Sequence, residues 1–200
     1  KDVNGGLILN CMNHGDIETS LEGENCIGGI VGTYQANSNK EGVFNCVNLG
    51  NIKVSGTYNA ITSNAGGILG YANNYDFYIT IKNCVSTGDI LKDIDMTKGS
   101  IIGGCNSTEF NNLKCIYISE TYCFKDTAFS GIGQNMTNVK MNFFTNNNDV
   151  FTTTEELTVG NTTSNNLIDL LNAWVDKENL TGATQYLRWA IVDGNPALSY

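Results

Sequence analysis

The sequence predicts an all-β protein whose internal repeats stack into a parallel β-solenoid, a β-helix-like coil of short strands. Three observations lead to this prediction. One motif recurs three times, short β-prone runs alternate with corners rich in Gly and Asn, and the motif cysteines are 35 and 38 residues apart. A unit of this length cannot bury its own apolar face, so copies stack and share one core. The alternative architecture is a set of β-hairpin units in a sandwich or a propeller.

Each copy carries a cysteine that leads to a Gly-Asp-Ile-like corner and then to a Gly-Gly-Ile element. We place the copies at about 4–40, 41–78 and 79–110, with the motifs Cys11 to Ile17 and Gly28 to Gly32, Cys46 to Ile52 and Gly66 to Gly70, and Cys84 to Ile90 and Gly99 to Gly103. Each copy is predicted to make one coil of two or three strands. Equivalent side chains should then form ladders, with Ile17, Ile52 and Ile90 inside and Asn10, Asn45 and Asn83 hydrogen-bonded at a corner.

The remaining elements follow in chain order. A degenerate fourth unit at 111–133 would complete a solenoid domain at 1–133, and a polar linker or loop is predicted at 134–163. A helix near 165–177, capped by Ser164, is predicted because its apolar residues follow the i, i+3, i+4, i+7 pattern: Leu167, Leu170, Leu171 and Trp174. A strand at 186–192 completes a C-terminal unit at 164–200, which we expect to cap an exposed end of the solenoid.

The seven cysteines are an odd number, so at least one thiol is free or pairs with another chain. Cys11, Cys46 and Cys84 share one repeat position, which places them about 4.8 Å apart in a stack with parallel Cβ vectors. A disulfide requires converging Cβ atoms. We therefore predict a reduced, buried cysteine ladder and at most one disulfide.

Composition excludes some classes of partner. The net charge of -9 argues against nucleic acid and anionic lipid, which are bound through Lys and Arg. The sequence has no run of eighteen apolar residues, so we expect no membrane insertion. Since residues 4–8 already lie within a repeat, we expect the chain to be part of a longer parent protein.

The repeated C-x-N-x-G-x-I and G-G-I-x-G elements resemble the GLUG motif, a repeat of bacterial secreted and surface proteins that also occurs in immunoglobulin A1-cleaving peptidases. The resemblance covers about residues 4–133. It implies surface display, adhesion or spacing, with no catalytic residues in the repeats. In such peptidases the chemistry lies in a zinc domain with an H-E-x-x-H motif, which this sequence lacks.

No catalytic set, metal site or cofactor site is predicted. His14 is the single histidine, and its corner position is occupied by Leu49 and Thr87 in the other copies. The rival hypothesis is a polysaccharide-active β-helix enzyme, a glycosidase or a lyase. Its candidate acids are Asp16 and Asp89, about 9.6 Å apart if two coils separate them, together with Asp93 and Asp95.

Aromatic residues follow the Gly-Gly-Ile elements, where exposed rings can stack on sugars or anchor a protein. The predicted binding residues are Tyr34, Tyr71, Tyr75, Phe77 and Tyr78. The alternative is that they pack beneath their own loops. We therefore expect a non-catalytic, adhesin-like binding or spacer segment, extracellular or at the cell surface, whose partner is an extracellular protein or a glycan. A purely structural stalk is a further alternative.

Overall fold

The fold is a stack of parallel sheets with one α-helix. The computed structural model describes residues 2–23, 25–38, 40–56, 63–73, 79–92, 96–105, 116–119, 122–124, 142–148 and 150–200. Strand β1 (Asp2–Asn4) precedes the first full repeat. That repeat contains β2 (Leu7–Leu9), β3 (Met12–Asn13), β4 (Ile17–Leu21), β5 (Cys26–Gly28) and β6 (Val31–Gln35).

The second and third repeats have the same five-strand order. The second repeat contains β7 (Gly42–Phe44), β8 (Val47–Asn48), β9 (Ile52–Gly56), β10 (Asn64–Gly66) and β11 (Leu69–Ala72). The third contains β12 (Ile79–Lys82), β13 (Val85–Ser86), β14 (Ile90–Lys92), β15 (Thr97–Gly99) and β16 (Ile102–Cys105). Five strands replace the predicted two or three, because left-handed Asn residues and close-packed Gly residues turn the chain after only two to five extended residues.

Equivalent strands of successive repeats pair in parallel, and each sheet takes one strand from each repeat. We name the sheets by their first-repeat strand: the β2, β3, β4, β5 and β6 sheets. Ile52 aligns with Ile17 on one side and with Ile90 on the other, which confirms the predicted isoleucine ladder. The predicted hairpin alternative is not observed within the three repeats, because every strand pair there is parallel.

Two apolar cores lie inside the stack. The larger core joins the β2 and β6 sheets and includes Val43, Cys46 and Ile81. The smaller core, between the β4 and β5 sheets, is built from Ile52, Val54, Ala65, Ile90 and Met96. These residues are at most 4% exposed, so the repeats share their interiors as predicted.

Glycine and asparagine shape the corners. A Cβ atom at Gly29 would lie 2.2 Å from the carbonyl oxygen of Gly67 and 2.4 Å from Cγ of Asn48, so only glycine fits there. Asn10, Asn45 and Asn83 have φ angles of 53°, 54° and 54°, in the left-handed region that Asn tolerates better than most residues.

The C-terminal half begins with two strands that pair with strands of the third repeat. Three more strands, the helix and a two-stranded hairpin follow. Their bounds are β17 (Ile116–Ser119), β18 (Tyr122–Phe124), β19 (Asn142–Asn147), β20 (Val150–Val159), β21 (Thr162–Asn166), α1 (Leu167–Thr181), β22 (Arg188–Val192) and β23 (Asn195–Ser199). β17 extends the β2 sheet, and β18 extends the β3 sheet. β19 continues the β3 sheet in parallel, and β20 and β21 extend it in antiparallel pairs.

The predicted linker at 134–163 is therefore wrong for its described part, which contains β19, β20 and the start of β21. Its threonines are β-branched, and apolar side chains recur on one face of β20, where Phe151 and Val159 are buried. Polar residues between Phe151 and Val159 concealed the alternation of inward and outward side chains in the sequence of β20.

The helix begins two residues later than predicted and ends at Thr181. Asn166 is the N-cap, with Oδ1 accepting hydrogen bonds from the backbone N–H groups of Ile168 and Asp169. Ser164 does not cap the helix, because it pairs with Leu157 in the sheet. The predicted last strand is a hairpin of β22 and β23, turned by Asp193 and Gly194 with positive φ angles.

The helix and hairpin, which we call the C-terminal unit (residues 167–200), lie along the flank of the stack. Val47 and Val85 point outward from the β3 sheet into a third core with Leu171, Trp174 and Trp189. This differs from the predicted cap over one end. The reason is that Val47 and Val85 give the β3 sheet an apolar outer face, which must be covered.

Candidate functional site

The asparagine corner joins the C-terminal unit to the stack. Asn45 Nδ2 donates to Asn10 Oδ1 at 2.7 Å, and Asn83 Nδ2 donates to Asn45 Oδ1 at 2.8 Å, which confirms the predicted ladder. The ladder also binds the C-terminal unit, because Trp189 Nε1 donates to Asn45 Oδ1 at 2.6 Å. Leu187 N donates to Asn10 Oδ1 at 3.1 Å. This corner is thus a structural joint between repeats and C-terminal unit.

A shallow open groove of about 550 Å³ runs across the outer face of the β4 sheet. It is lined by Glu18, Thr19, Ser20, Lys53, Val54, Ser55, Leu91 and Lys92. Glu18, Lys53 and Leu91 align across the three strands, and Leu91 is 50% exposed. One surface column therefore presents an acid, a base and an apolar side chain in successive repeats.

Sequence reasoning missed this groove, although a signal existed. Each of these residues directly follows the isoleucine that ends the Cys-to-Ile element. Because side chains alternate across a strand, the residue after a buried isoleucine points outward. Aligning the repeats would have placed the three side chains in one exposed column.

The acidic candidates lie beside this groove, at a second polar corner. Asn51 lies between Asp16 and Asp89: its backbone N–H donates to Asp16 Oδ1 at 2.9 Å, and Asp89 N donates to Asn51 Oδ1 at 3.0 Å. Lys53 Nζ lies 2.9 Å from Asp16 Oδ2 and 2.7 Å from Glu18 Oε1.

These contacts fix the protonation of Asp16. The Lys53 ammonium, followed by the Asn51 backbone N–H, lowers the pKa of this exposed carboxyl below its ordinary value. Asp16 is therefore an ionised ladder residue, suited to hold Lys53 and unsuited to donate a proton near neutral pH. Asp93 and Asp95 lie outside the described residues.

The predicted aromatic binding residues are not all available. Tyr34 belongs to the larger core, is 0% exposed, and its hydroxyl donates to the carbonyl oxygen of Gly6, so its assignment as a binding residue is wrong. Val31, from the same strand β6, belongs to this core as well. Tyr71 is half-buried in β11. Tyr75, Phe77 and Tyr78 lie outside the described residues, and their role stays a prediction.

The thiols follow the predicted ladder. Cys11 N donates to Cys46 Sγ at 3.4 Å, and Cys46 and Cys84 are fully buried. Cys11, Cys46 and Cys84 form no disulfide bond. Burial raises the pKa of Cys46 well above its ordinary value, and the hydrogen bond with Cys46 raises that of Cys11. Protonated thiols are poor nucleophiles, so the ladder is a packing feature.

His14 is exposed at its corner. Within the described ranges, no three His, Cys, Asp or Glu side chains converge as a group able to hold a metal ion. The helices of the described part include none that is both long and apolar enough to span a bilayer.

The fold and these sites define an all-β protein of stacked parallel sheets, built from internal repeats and joined by polar ladders at its corners. The family model of the GLUG motif matches residues 61–91, a segment that contains Gly66–Gly67, Cys84 and Ile90. Residues 61–91 therefore carry a GLUG motif, which supports the predicted resemblance to GLUG-motif repeat proteins and the presence of a repeat region in this chain. No curated protein and no solved structure matches the chain.

Proposed function

We propose that this chain is a β-solenoid segment of a larger secreted or surface-displayed protein, and that it acts as a non-catalytic binding or spacer module. The observation that best supports this proposal is the contrast between the two faces of the β4 sheet. Its inner face repeats Ile17, Ile52 and Ile90, whereas its outer face varies from Glu18 to Lys53 to Leu91. Repetition maintains the stack, and variation is tolerated where the surface contacts solvent or a partner.

The groove on that outer face is the binding surface that the geometry favours. It offers a carboxylate, an ammonium group, serine hydroxyls and an exposed leucine within one concave strip. This combination suits a glycan or an extracellular protein segment, which present hydroxyl, amide and apolar groups together. The aromatic group at Tyr75, Phe77 and Tyr78 is a second proposed surface, and Tyr71 is its half-buried member.

A non-catalytic role is supported by the state of the acids. Asp16 is held by Lys53 and Asn51, so the proposed glycosidase pair of Asp16 and Asp89 has no protonated member at Asp16. A retaining or inverting glycosidase requires one carboxylic acid as proton donor. If an enzyme used this pair, Asp89 would have to be the proton donor and the ionised Asp16 the base or nucleophile.

The test is a glycan and extracellular-matrix protein array, combined with a reducing-sugar release assay on polysaccharides. We expect the wild type to bind and the groove variant Lys53→Ala/Leu91→Ala to lose binding. The matched control is Lys177→Ala/Leu180→Ala, which removes a lysine and an exposed leucine from the helix. Binding lost instead in Tyr75→Ala/Tyr78→Ala would assign it to the aromatic group.

Two outcomes would contradict a binding role. Sugar release that is abolished by Asp89→Asn would establish the enzyme hypothesis. If the protein neither binds the array nor releases sugar, the result would support the purely structural stalk.

A further inference from the structure

An extended segment of the C-terminal unit lies between the asparagine corner and the helix. This segment, residues 185–189, leads into the hairpin and is hydrogen-bonded on both sides to asparagine side chains. Asn10 and Asn45 contact it from the stack, and Asn172 and Asn179 contact it from the helix. We call these four side chains the asparagine slot.

On the stack side, the asparagines bind the backbone around Leu187. Asn10 Nδ2 donates to the carbonyl oxygen of Gln185 at 3.1 Å, and Asn10 Oδ1 accepts from Leu187 N at 3.1 Å. Asn45 Nδ2 donates to the carbonyl oxygen of Leu187 at 2.8 Å, and Asn45 Oδ1 accepts from Trp189 Nε1 at 2.6 Å. The stack thus binds both backbone groups of Leu187 and one indole N–H.

On the helix side, each asparagine pairs with both backbone groups of one residue. Asn179 donates to Tyr186 O at 3.0 Å and accepts from Tyr186 N at 2.8 Å. Asn172 makes the same two bonds with Trp189, at 3.0 and 2.8 Å. The spacing fits, because seven helical residues rise about 10.5 Å and three extended residues span about 10 Å. The slot therefore binds an extended backbone much as a neighbouring strand would.

The side chains of the segment add a second level of selection. Tyr186 and Leu187 pack half-buried against the third core, and Trp189 is 3% exposed. Gln185 and Arg188 are exposed. The ligand that fits the slot is thus an extended peptide with an aromatic residue, an apolar residue, an exposed residue and a tryptophan in succession.

We propose that the asparagine slot is a peptide-binding site, that residues 185–189 are its resident ligand, and that the same segment of a second copy replaces them once the connection to the helix is cut. In sites that bind an added strand, main-chain hydrogen bonds supply affinity and side-chain pockets supply specificity. The connection at Gly182 and Ala183 is exposed, and exposed loops are preferred sites of proteolysis. In the uncut chain the tethered segment competes at an effective concentration of about millimolar. The slot lies apart from the groove, so the inference does not rest on the proposed function.

The test uses the full chain with a specific protease site inserted between Gly182 and Ala183. After cleavage, size-exclusion chromatography should show the tail, residues 183–200, eluting with the rest of the chain. A dye-labelled synthetic peptide of residues 183–200 is then incubated with the protein, and fluorescence anisotropy measures its binding. We expect the peptide to bind the cleaved protein and to bind the uncut chain at least about tenfold more weakly.

Peptide variants leave the protein unchanged and separate the two levels of selection. A peptide with Trp189→Ala, or with an N-methyl group on the backbone nitrogen of Tyr186, should bind at least about tenfold more weakly, since each loses a hydrogen bond to the slot. The matched controls are Gln185→Ala, which changes an exposed side chain, and an N-methyl group on Ala183, which precedes the segment. Both control peptides should bind like the unmodified peptide.

Two binding results would overturn the proposal: a labelled peptide that does not bind the cleaved protein, or Trp189→Ala and N-methyl-Tyr186 peptides that bind as tightly as the unmodified one. Circular dichroism monitors folding. A cleaved chain that unfolds would also overturn the proposal, since a tail held by the slot keeps the contacts of the uncut chain. None of these results depends on whether the groove binds a ligand.

Discussion

Asn45 combines a backbone role with a side-chain role. Its φ of 54° turns the chain at the corner, and its amide uses two donors and two acceptors: Nδ2 donates to Asn10 Oδ1 and Leu187 O, while Oδ1 accepts from Asn83 Nδ2 and Trp189 Nε1. An asparagine side chain has no further strong hydrogen-bonding capacity. This residue therefore sets the corner, the stack and the attachment of the C-terminal unit.

Asn45→Ala should lower the free energy of unfolding by about 2–5 kcal/mol, since it adds left-handed strain and leaves buried polar partners unpaired. Chemical denaturation measures the change. Asn148→Ala is the matched control, because Asn148 has the same φ of 54° but is exposed, and should cost only about 1–2 kcal/mol. Equal losses for the two variants would show that the Asn45 side-chain hydrogen bonds contribute nothing.

Tyr34 shows a pH-dependent contribution at the same scale. Burial, followed by the charge of Glu41, raises the pKa of its hydroxyl to about 12. Because the folded-state pKa exceeds the unfolded value, the neutral phenol stabilises the fold below about pH 10, and this contribution is lost as the pH rises toward about 12.

We therefore expect Tyr34→Phe to abolish the part of the stability loss between about pH 10 and 12 that arises from this hydroxyl. At neutral pH the variant should be less stable by about 1–3 kcal/mol, since the Gly6 carbonyl loses its donor. Denaturation at several pH values measures both effects, with the exposed Tyr200→Phe as the control. Wild-type pH dependence in Tyr34→Phe would contradict the assignment.

At the scale of elements, the hairpin and helix matter because they cover the outer face of the β3 sheet. Trp174 and Tyr186 meet edge to face, with ring centroids 4.7 Å apart. Asn172 holds the hairpin to the helix, accepting from Trp189 N at 2.8 Å and donating to Trp189 O at 3.0 Å. The C-terminal unit is thus part of the folded stack, since its loss would expose Val47 and Val85.

Trp189→Ala should lower the free energy of unfolding by about 3–5 kcal/mol, because it removes a buried ring and a hydrogen bond to the corner ladder. Binding of a hydrophobic dye should rise if the hairpin detaches. Ile191→Ala, in the same strand but 37% exposed, is the control and should change stability little. Similar losses of unfolding free energy in Trp189→Ala and Ile191→Ala would show that Trp189 does not hold the C-terminal unit to the repeats.

At the scale of the molecule, burial increases from the first layer to the second. Ile8, Cys11 and Ile30 of the first repeat are half-buried, whereas Val43, Cys46 and Ile68 of the second are 0% exposed. Stacked repeats gain stability from their nearest neighbours, so an end layer has fewer partners than a central one. Local opening should therefore begin at the first repeat.

Site-resolved thiol labelling tests this order. In the native protein Cys11 should react faster than Cys46 and Cys84, and all should react rapidly in denaturant. Peptide mass mapping over time identifies each modified cysteine. Native labelling of Cys46 as fast as that of Cys11 would contradict the buried ladder.

The sequence alone determined the stacked repeats. Once identical motifs recur, parallel in-register pairing aligns equal positions, and the ladders of Ile17, Ile52 and Ile90 and of the corner asparagines follow from spacing alone. The same logic predicted free, buried thiols at Cys46 and Cys84. These features are local and periodic, so the sequence carries them directly.

The tertiary structure decided the features that do not recur with the sequence repeat. It turned Tyr34 inward, formed strands from the polar threonine-rich segment, and placed the C-terminal unit along the flank instead of over an end. The decisive contact joins Trp189 to Asn45, residues 144 positions apart in sequence. Such a contact arises because the outer apolar face of the β3 sheet had to be buried by whichever later segment could reach it, and no repeat pattern encodes that segment.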